Sequence, residues 1–198
     1  MNRSLVLILM SFCFSFSLAQ KNITESLLVV DSLWTKEMFE FPIHFAPDIT
    51  YQGFEEARFP KGWSNQDSSE YWSYVFAWSI KGNTVLNENI LEVNLQLYFD
   101  GLMATVNKDQ NFKVPETVAL FIKNDENNFI GKIRLFNSFH TKKMMTLNVL
   151  VNTYNCLEED RVLVLFRFSP SVFDAEIWEK LKDIKLKTNA CAINNKGN

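Results

Sequence analysis

The sequence predicts an α+β domain, in which an antiparallel β-sheet of about six to seven strands is packed by two helices. Bulky and small side chains alternate between residues 71 and 80, and four β-rich runs follow residue 115 with short polar loops between them. Two further segments have helical periodicity. The chain has 198 residues, is 47% hydrophobic and is poor in glycine and proline, so we expect a single globular domain over residues 20–198.

The first residues have the pattern of a cleavable export signal. Arg3 supplies a positive start, an uncharged apolar stretch runs from Leu5 to Leu18, and small residues precede Gln20. We therefore expect residues 1–19 to be removed and the protein to be secreted or periplasmic. The apolar stretch is shorter than the roughly 20 residues of a membrane-spanning helix, so no stable membrane anchor is predicted.

Charge and cysteine content narrow the function further. The formal net charge is -3, which disfavours nucleic acid as a partner because a phosphate backbone requires a basic surface. Once Cys13 leaves with the signal, Cys156 and Cys191 are the remaining cysteines. We expect a disulfide between them in an oxidising compartment, with two unpaired thiols as the alternative.

The N-terminal half contains three extended segments. Residues 39–45 include Pro42 and are interpreted as an edge strand or an extended entry segment. Residues 49–59 form the second segment, which ends in the turn Pro60-Lys61-Gly62-Trp63. Residues 71–80 are the most distinctive strand. Its predicted bulky face consists of Trp72, Tyr74, Phe76, Trp78 and Ile80.

The segment 87–106 has both strand-like and helix-like periodicity. We predict a helix because the segment is long, contains leucine and methionine, and has few β-branched residues. Asn87 and Glu88 suit the start of such a helix.

The C-terminal half predicts an antiparallel meander followed by a helix. The four strands of this meander are residues 117–123, 129–137, 143–153 and 161–168. The last helix is expected to begin at Ser169-Pro170 and to pack across the meander. Its predicted buried stripe consists of Phe173, Ile177, Leu181 and Ile184.

Two segments resemble elements of a known group of proteins. The turn at residues 59–63 and the ending from Phe168 through Trp178 to Lys187 are similar to parts of the Mog1/PsbP-like proteins, which are small α/β sandwiches on an antiparallel sheet. Members of that group mostly act as binding or accessory proteins. The resemblance therefore implies a partner-binding role without catalysis, and it assigns no functional residue.

Motifs of familiar catalytic classes are absent from the sequence. It has no Gly-x-Ser-x-Gly elbow and no glycine-rich phosphate loop. The two histidines, His44 and His140, do not form a metal-ligand pattern, and His140 is expected to be a solvated loop residue. Carboxylates near the Trp63 turn could perform glycosidase chemistry if they faced one another across a cleft. These carboxylates are Glu55, Glu56, Asp67 and Glu70.

Aromatic residues are concentrated between Phe39 and Trp78, and such side chains favour interfaces and binding clefts. Most of them are expected to lie in the core, whereas residues beside turns are expected to be exposed. We predict a non-catalytic binding module for a protein, peptide or small ligand, with no cofactor and no metal. An extracytoplasmic hydrolase is the alternative. The predicted binding residues are His44, Tyr51, Arg58 and Trp63.

Overall fold

The computed structural model describes residues 25–108 and 112–193. The predicted export signal and its cleavage site lie outside these residues. The described chain forms nine β-strands, two α-helices and one 3₁₀ helix. In chain order these elements are β1 (Leu28–Val29), β2 (Thr35–Glu40), β3 (Gly53–Phe59), β4 (Tyr74–Lys81), α1 (Glu88–Val106), β5 (Val118–Lys123), β6 (Asn128–Phe136), β7 (Met144–Cys156), β8 (Arg161–Ser169), α2 (Ile177–Asp183), β9 (Lys185–Leu186) and the 3₁₀ helix (Ala190–Ala192).

The predicted α+β class is confirmed. Seven strands form one antiparallel sheet in the order β2-β3-β4-β8-β7-β6-β5, and β1 pairs with β9 in a small second sheet. The large sheet consists of two meanders, because β2, β3 and β4 are neighbours in chain order, as are β5, β6, β7 and β8. These meanders join where β4 pairs with β8, with Phe76 opposite Phe166. Helix α1 connects them along the chain.

The two faces of the large sheet differ in side-chain type. We call one the aromatic face, because β4 and β8 contribute Phe76, Trp78 and Phe166 to it. We call the other the terminal face, because β1, α2 and β9, at the two ends of the described chain, cover it. The terminal face carries smaller side chains at the alternate positions, such as Ala77 and Leu165. The predicted alternation of bulky and small residues is therefore confirmed from Tyr74 to Ile80. The predicted strand started at residue 71, but residues 71–73 precede β4, and Trp72 has a left-handed backbone conformation that a strand does not allow.

Helix α1 covers part of the aromatic face, as the helix prediction for residues 87–106 required. The side chain of Asn87 accepts a hydrogen bond of 2.9 Å from the backbone N–H of Ile90 and caps the first turn. Leu91 and Leu95 are buried on the side that faces the sheet. Near its other end, Gly101 lies against the backbone of Phe45, and a Cβ atom at this position would overlap the Phe45 carbonyl oxygen.

The last helix differs from its prediction. Helix α2 spans only Ile177–Asp183, because Ser169 still belongs to β8 and the segment after it forms isolated turns. One of these turns is closed by a 3.0 Å hydrogen bond from the backbone N–H of Trp178 to the carbonyl of Ala175. The Trp178 indole also donates a hydrogen bond of 3.0 Å to the carbonyl of Ser171. This bond holds the segment before α2 against the helix, so the segment does not continue the helix toward its N-terminus.

A disulfide joins Cys156 at the end of β7 to Cys191 near the end of the described chain. Their Cα atoms are 5.5 Å apart and the two residues are separated by 35 positions in the sequence. Closing a loop of this size stabilises a folded domain by about 3 to 4 kcal/mol through the entropy of the unfolded chain. The bond holds the C-terminal segment on the terminal face.

Candidate functional site

A pocket of about 370 Å³ opens on the aromatic face near the β2 edge of the sheet. Strands β2 and β3 form one wall, the turn after β3 forms the rim, and α1 closes the opposite side. The side chains around it are mainly apolar and aromatic. The lining residues are Leu33, Thr35, Glu37, Phe39, Phe45, Phe59, Pro60, Lys61, Trp63, Ser64, Trp72, Tyr74, Tyr98, Leu102 and Phe139.

Two tryptophans hold the rim in place. The backbone N–H of Trp72 donates a hydrogen bond of 3.0 Å to the carbonyl of Trp63, and the two rings have centroids 5.4 Å apart. Trp72 has a φ of 52°, a left-handed conformation that costs a bulky residue on the order of 1 kcal/mol or more. The backbone bond to Trp63 and the burial of the Trp72 ring keep this conformation in place. The rim is therefore a fixed wall.

Glu55 lies fully buried behind the pocket wall. Its carboxylate accepts hydrogen bonds from the Trp78 indole N–H at 2.6 Å and from the Tyr98 hydroxyl at 2.8 Å. Burial raises the pKa of Glu55 to about 8, even though both hydrogen bonds act to lower it and the nearby Glu37 raises it further. Burial, together with the charge of Glu55, also raises the pKa of Tyr98 well above its usual value. Glu55 thus carries a proton at neutral pH.

Polar groups also face the pocket itself. Glu37, on the edge strand β2, lines the wall, and partial loss of solvent raises the pKa of its carboxyl group. No described residue forms a hydrogen bond or an ion pair with Glu37. Tyr74 is 4% exposed, and its hydroxyl likewise has no hydrogen-bond partner among the described residues. Lys61, at the rim, is exposed.

Of the four predicted binding residues, Trp63 lines the pocket and His44 lies outside its lining. The side chain of Trp63 is half-buried among other rings and not solvated as its turn position predicted. His44 is exposed beside the pocket, with its ring centroid 5.1 Å from that of Phe45.

The other two predicted binding residues lie elsewhere. Tyr51 packs against Trp78, with ring centroids 6.1 Å apart, and its hydroxyl accepts a hydrogen bond of 2.7 Å from Asn94. Arg58 lies on the terminal face, where its guanidinium bonds Glu56 at 2.7 Å. Residues 58 and 59 alternate across the strand, so Phe59 faces the pocket and its neighbour faces away from it.

Sequence reasoning missed Glu37, Tyr74 and Tyr98 as site residues. The available signal was the period of two in the strands, which places Glu37 on the same face as Phe39. Tyr98 lies one helical turn after Asn94, on the buried side of α1. Neither position could be assigned to a pocket without knowing which strands are neighbours.

Neither predicted histidine is part of a metal centre in the described chain. His140 is half-buried against Trp63, with ring centroids 5.6 Å apart, and burial lowers its pKa, so the expectation of a solvated loop residue is wrong. One group of three potential metal ligands occurs in the described residues, and it contains Cys156, Glu159 and Cys191. The disulfide already uses both sulfur atoms.

No protein-family model matches the chain, and no curated protein or solved structure is significantly similar to it. The resemblance to the Mog1/PsbP-like proteins therefore stays a prediction. Within residues 25–108 and 112–193, neither helix has the length and apolar character required to cross a membrane.

Proposed function

We propose that this protein is an exported, non-catalytic binding protein that holds a small ligand with an apolar body in the aromatic pocket. The observation that carries the proposal is the pocket itself, because about 370 Å³ enclosed mainly by aromatic and aliphatic side chains is typical of small-molecule sites. The polar groups that line it are few. Such an arrangement supplies affinity through burial of apolar surface and leaves orientation to a small number of hydrogen bonds.

Export is supported by the signal pattern of residues 1–19 and by the bond between Cys156 and Cys191, since structural disulfides persist in oxidising compartments. N-terminal sequencing of protein collected outside the cytoplasm is expected to begin at Gln20. A sequence that begins at Met1 would contradict export while leaving the binding proposal open to its own test.

An extracytoplasmic hydrolase is the second candidate, because the pKa of Glu55, about 8, suits a general acid at neutral pH. Its carboxyl group, however, is bonded to Trp78 and Tyr98 and is not part of the pocket lining. The described lining residues include no histidine or cysteine that could activate or serve as a nucleophile. Both facts favour binding over catalysis.

The binding proposal is tested with N-phenyl-1-naphthylamine, a neutral apolar dye whose fluorescence rises in apolar surroundings. We expect the wild-type protein to bind it in a saturable manner at one site. Leu102→Trp, which places a larger side chain in the pocket wall, is expected to weaken binding at least about tenfold by filling the space.

Leu120→Trp is the matched control, because Leu120 is 64% exposed on β5 and outside the pocket lining. Thermal unfolding of both variants shows that they are folded. Failure of the wild type to bind the dye, or equal binding by Leu102→Trp and Leu120→Trp, would rule out the pocket as the site.

A further inference from the structure

We propose that the ligand of this pocket is an organic cation, whose apolar body packs on the aromatic walls while its positive charge lies next to the carboxylate of Glu37. This inference rests on the proposed function and specifies the chemical class of the ligand. It follows from three properties of the pocket: its ring content, its uncompensated carboxylate and its unpartnered deep hydroxyl.

The ring content of the walls favours a cation. Eight of the fifteen lining residues have aromatic side chains. The faces of such rings carry partial negative charge, and a cation held against them gains about 0.5 to 2 kcal/mol per contact, most strongly with tryptophan. Trp63 and Trp72 pack against each other at the rim, 5.4 Å apart between ring centroids, and Trp72 is only 1% exposed, so Trp63 offers more ring surface to a cation.

Glu37 favours a cation independently of the rings. Its carboxyl group lines the pocket and has no ion pair with any described residue. The residue is exposed, so a ligand that fills the pocket would cover it. A neutral apolar ligand would remove water from this carboxylate without replacing the lost hydrogen bonds, and an anionic ligand would be repelled by it. A cationic ligand restores the lost solvation with a direct charge interaction. Among the lining residues Lys61 is the one cationic side chain, and it lies at the rim and forms no ion pair with Glu37.

Tyr74 adds a polar group to the depth of the pocket. Glu55, behind the wall, is protonated at neutral pH and adds no charge there. The Tyr74 hydroxyl, in a residue that is 4% exposed, has no partner among the described residues and is available to a polar group of the ligand. The neutral hydrogen-bonding groups of the pocket are thus the Tyr74 hydroxyl and the indole N–H groups of Trp63 and Trp72, which likewise have no hydrogen-bond partner among the described residues.

The experiment compares two molecules of the same shape, phenyltrimethylammonium and tert-butylbenzene, as competitors of N-phenyl-1-naphthylamine. The first carries a permanent positive charge and the second is neutral. Wild type, Glu37→Gln and Glu40→Gln are compared. Glu40 is the matched control, because it is an exposed glutamate of the same strand at a position of opposite parity, outside the pocket lining.

We expect Glu37→Gln to weaken binding of phenyltrimethylammonium about fivefold or more and to leave binding of tert-butylbenzene unchanged. Glu40→Gln is expected to change neither. The result that overturns the proposal is a ratio of the two dissociation constants that changes less than about threefold in Glu37→Gln, or a wild-type protein that binds the dye but not phenyltrimethylammonium. Either outcome leaves the dye-binding site intact, so this failure is distinct from failure of the proposed function.

Discussion

The terminal face and the aromatic face both carry glutamates, but the surroundings of these side chains differ. On the terminal face, the Glu56 carboxylate accepts hydrogen bonds from the backbone N–H of Leu27, from Ser26 at 2.7 Å and from Arg58 at 2.7 Å. On the aromatic face, Glu37 has neither a hydrogen bond nor an ion pair with a described residue. Glu56 is therefore part of a closed, buried network, whereas Glu37 is exposed and unpaired at the pocket.

Arg167 shows the same completeness on the terminal face. Its guanidinium donates at 2.7 Å to the carbonyl of Leu181 and at 2.7 Å to that of Ile184, and it also bonds Asn152. These carbonyls lie at the end of α2, where backbone groups lack partners within the helix. The buried charges of the terminal face thus have their partners within the chain, as buried polar groups do.

The largest expected effect is a difference in stability loss between a tryptophan in the core of the aromatic face and one at the rim of its pocket. Trp78 is fully buried and donates to Glu55, so Trp78→Ala should lower the free energy of unfolding by about 3 to 5 kcal/mol. Trp63 is half-buried, so Trp63→Ala should cost only about 1 to 2 kcal/mol while weakening dye binding. Urea titration measures both losses. Equal losses would mean that the rim belongs to the core and would break the distinction.

A smaller effect tests the terminal face. Glu56→Gln removes the charge from a network that contains Ser26 and Arg58, and we expect it to lower the free energy of unfolding by about 2 to 3 kcal/mol. Dye binding should stay unchanged, because the network lies on the other side of the sheet. Glu40→Gln is the control and should stay within about 0.5 kcal/mol of wild type. A Glu56→Gln variant that unfolds like wild type would show that the network is not structural.

The third effect is a dependence of stability on pH that originates in Glu55. Its pKa is raised to about 8 in the folded state, so the folded protein keeps a proton that the unfolded chain releases above its ordinary pKa. Stability from this group is complete below about pH 4.5 and is lost as the pH rises toward about 8, by about 1 kcal/mol per pH unit.

The groups that face this carboxyl are Trp78, Tyr98, Tyr74 and Glu37. Urea titrations of wild type and Glu55→Gln at several pH values isolate the effect, because other titrating groups are common to both proteins. We expect the wild type to lose stability relative to Glu55→Gln across this range. Parallel pH profiles would contradict the buried, protonated state of Glu55.

The sequence predicted the class of fold better than it predicted the site. The alternation in residues 71–80 and the regular strands after Pro115 are local periodic patterns, which can be read directly from the order of apolar and polar residues. The pocket instead depends on strand order. Glu37 and Tyr98 are 61 positions apart, and only the pairing of β2 with β3 and the return of α1 place them around one space.

The predicted boundaries of the last helix, α2, are wrong for a related reason. The stripe from Phe173 to Ile184 has helical spacing, but Phe173 and Trp178 meet ring to ring, 4.7 Å between centroids, through a turn. The prediction of Arg58 as a binding residue is wrong because consecutive residues of a strand lie on opposite faces of the sheet. Neither the charge of Arg58 nor its sequence neighbours indicate which face carries the pocket. Contacts between distant segments decided both cases.

Gly101 gives a way to recognise other proteins that share this pocket. A glycine inside a helix costs about 1 kcal/mol relative to alanine, and here the absence of a side chain lets the segment that carries Phe45 lie directly on α1. Tyr98 and Leu102, which line the pocket, flank this contact on the same helix. A distant relative that keeps the motif Tyr-x-x-Gly-Leu in its first long helix, with aromatic residues before it, is therefore expected to keep the cavity. In a relative with a larger residue at the glycine position, α1 must lie farther from the segment of Phe45. The pocket would then differ in size and shape and accept different molecules.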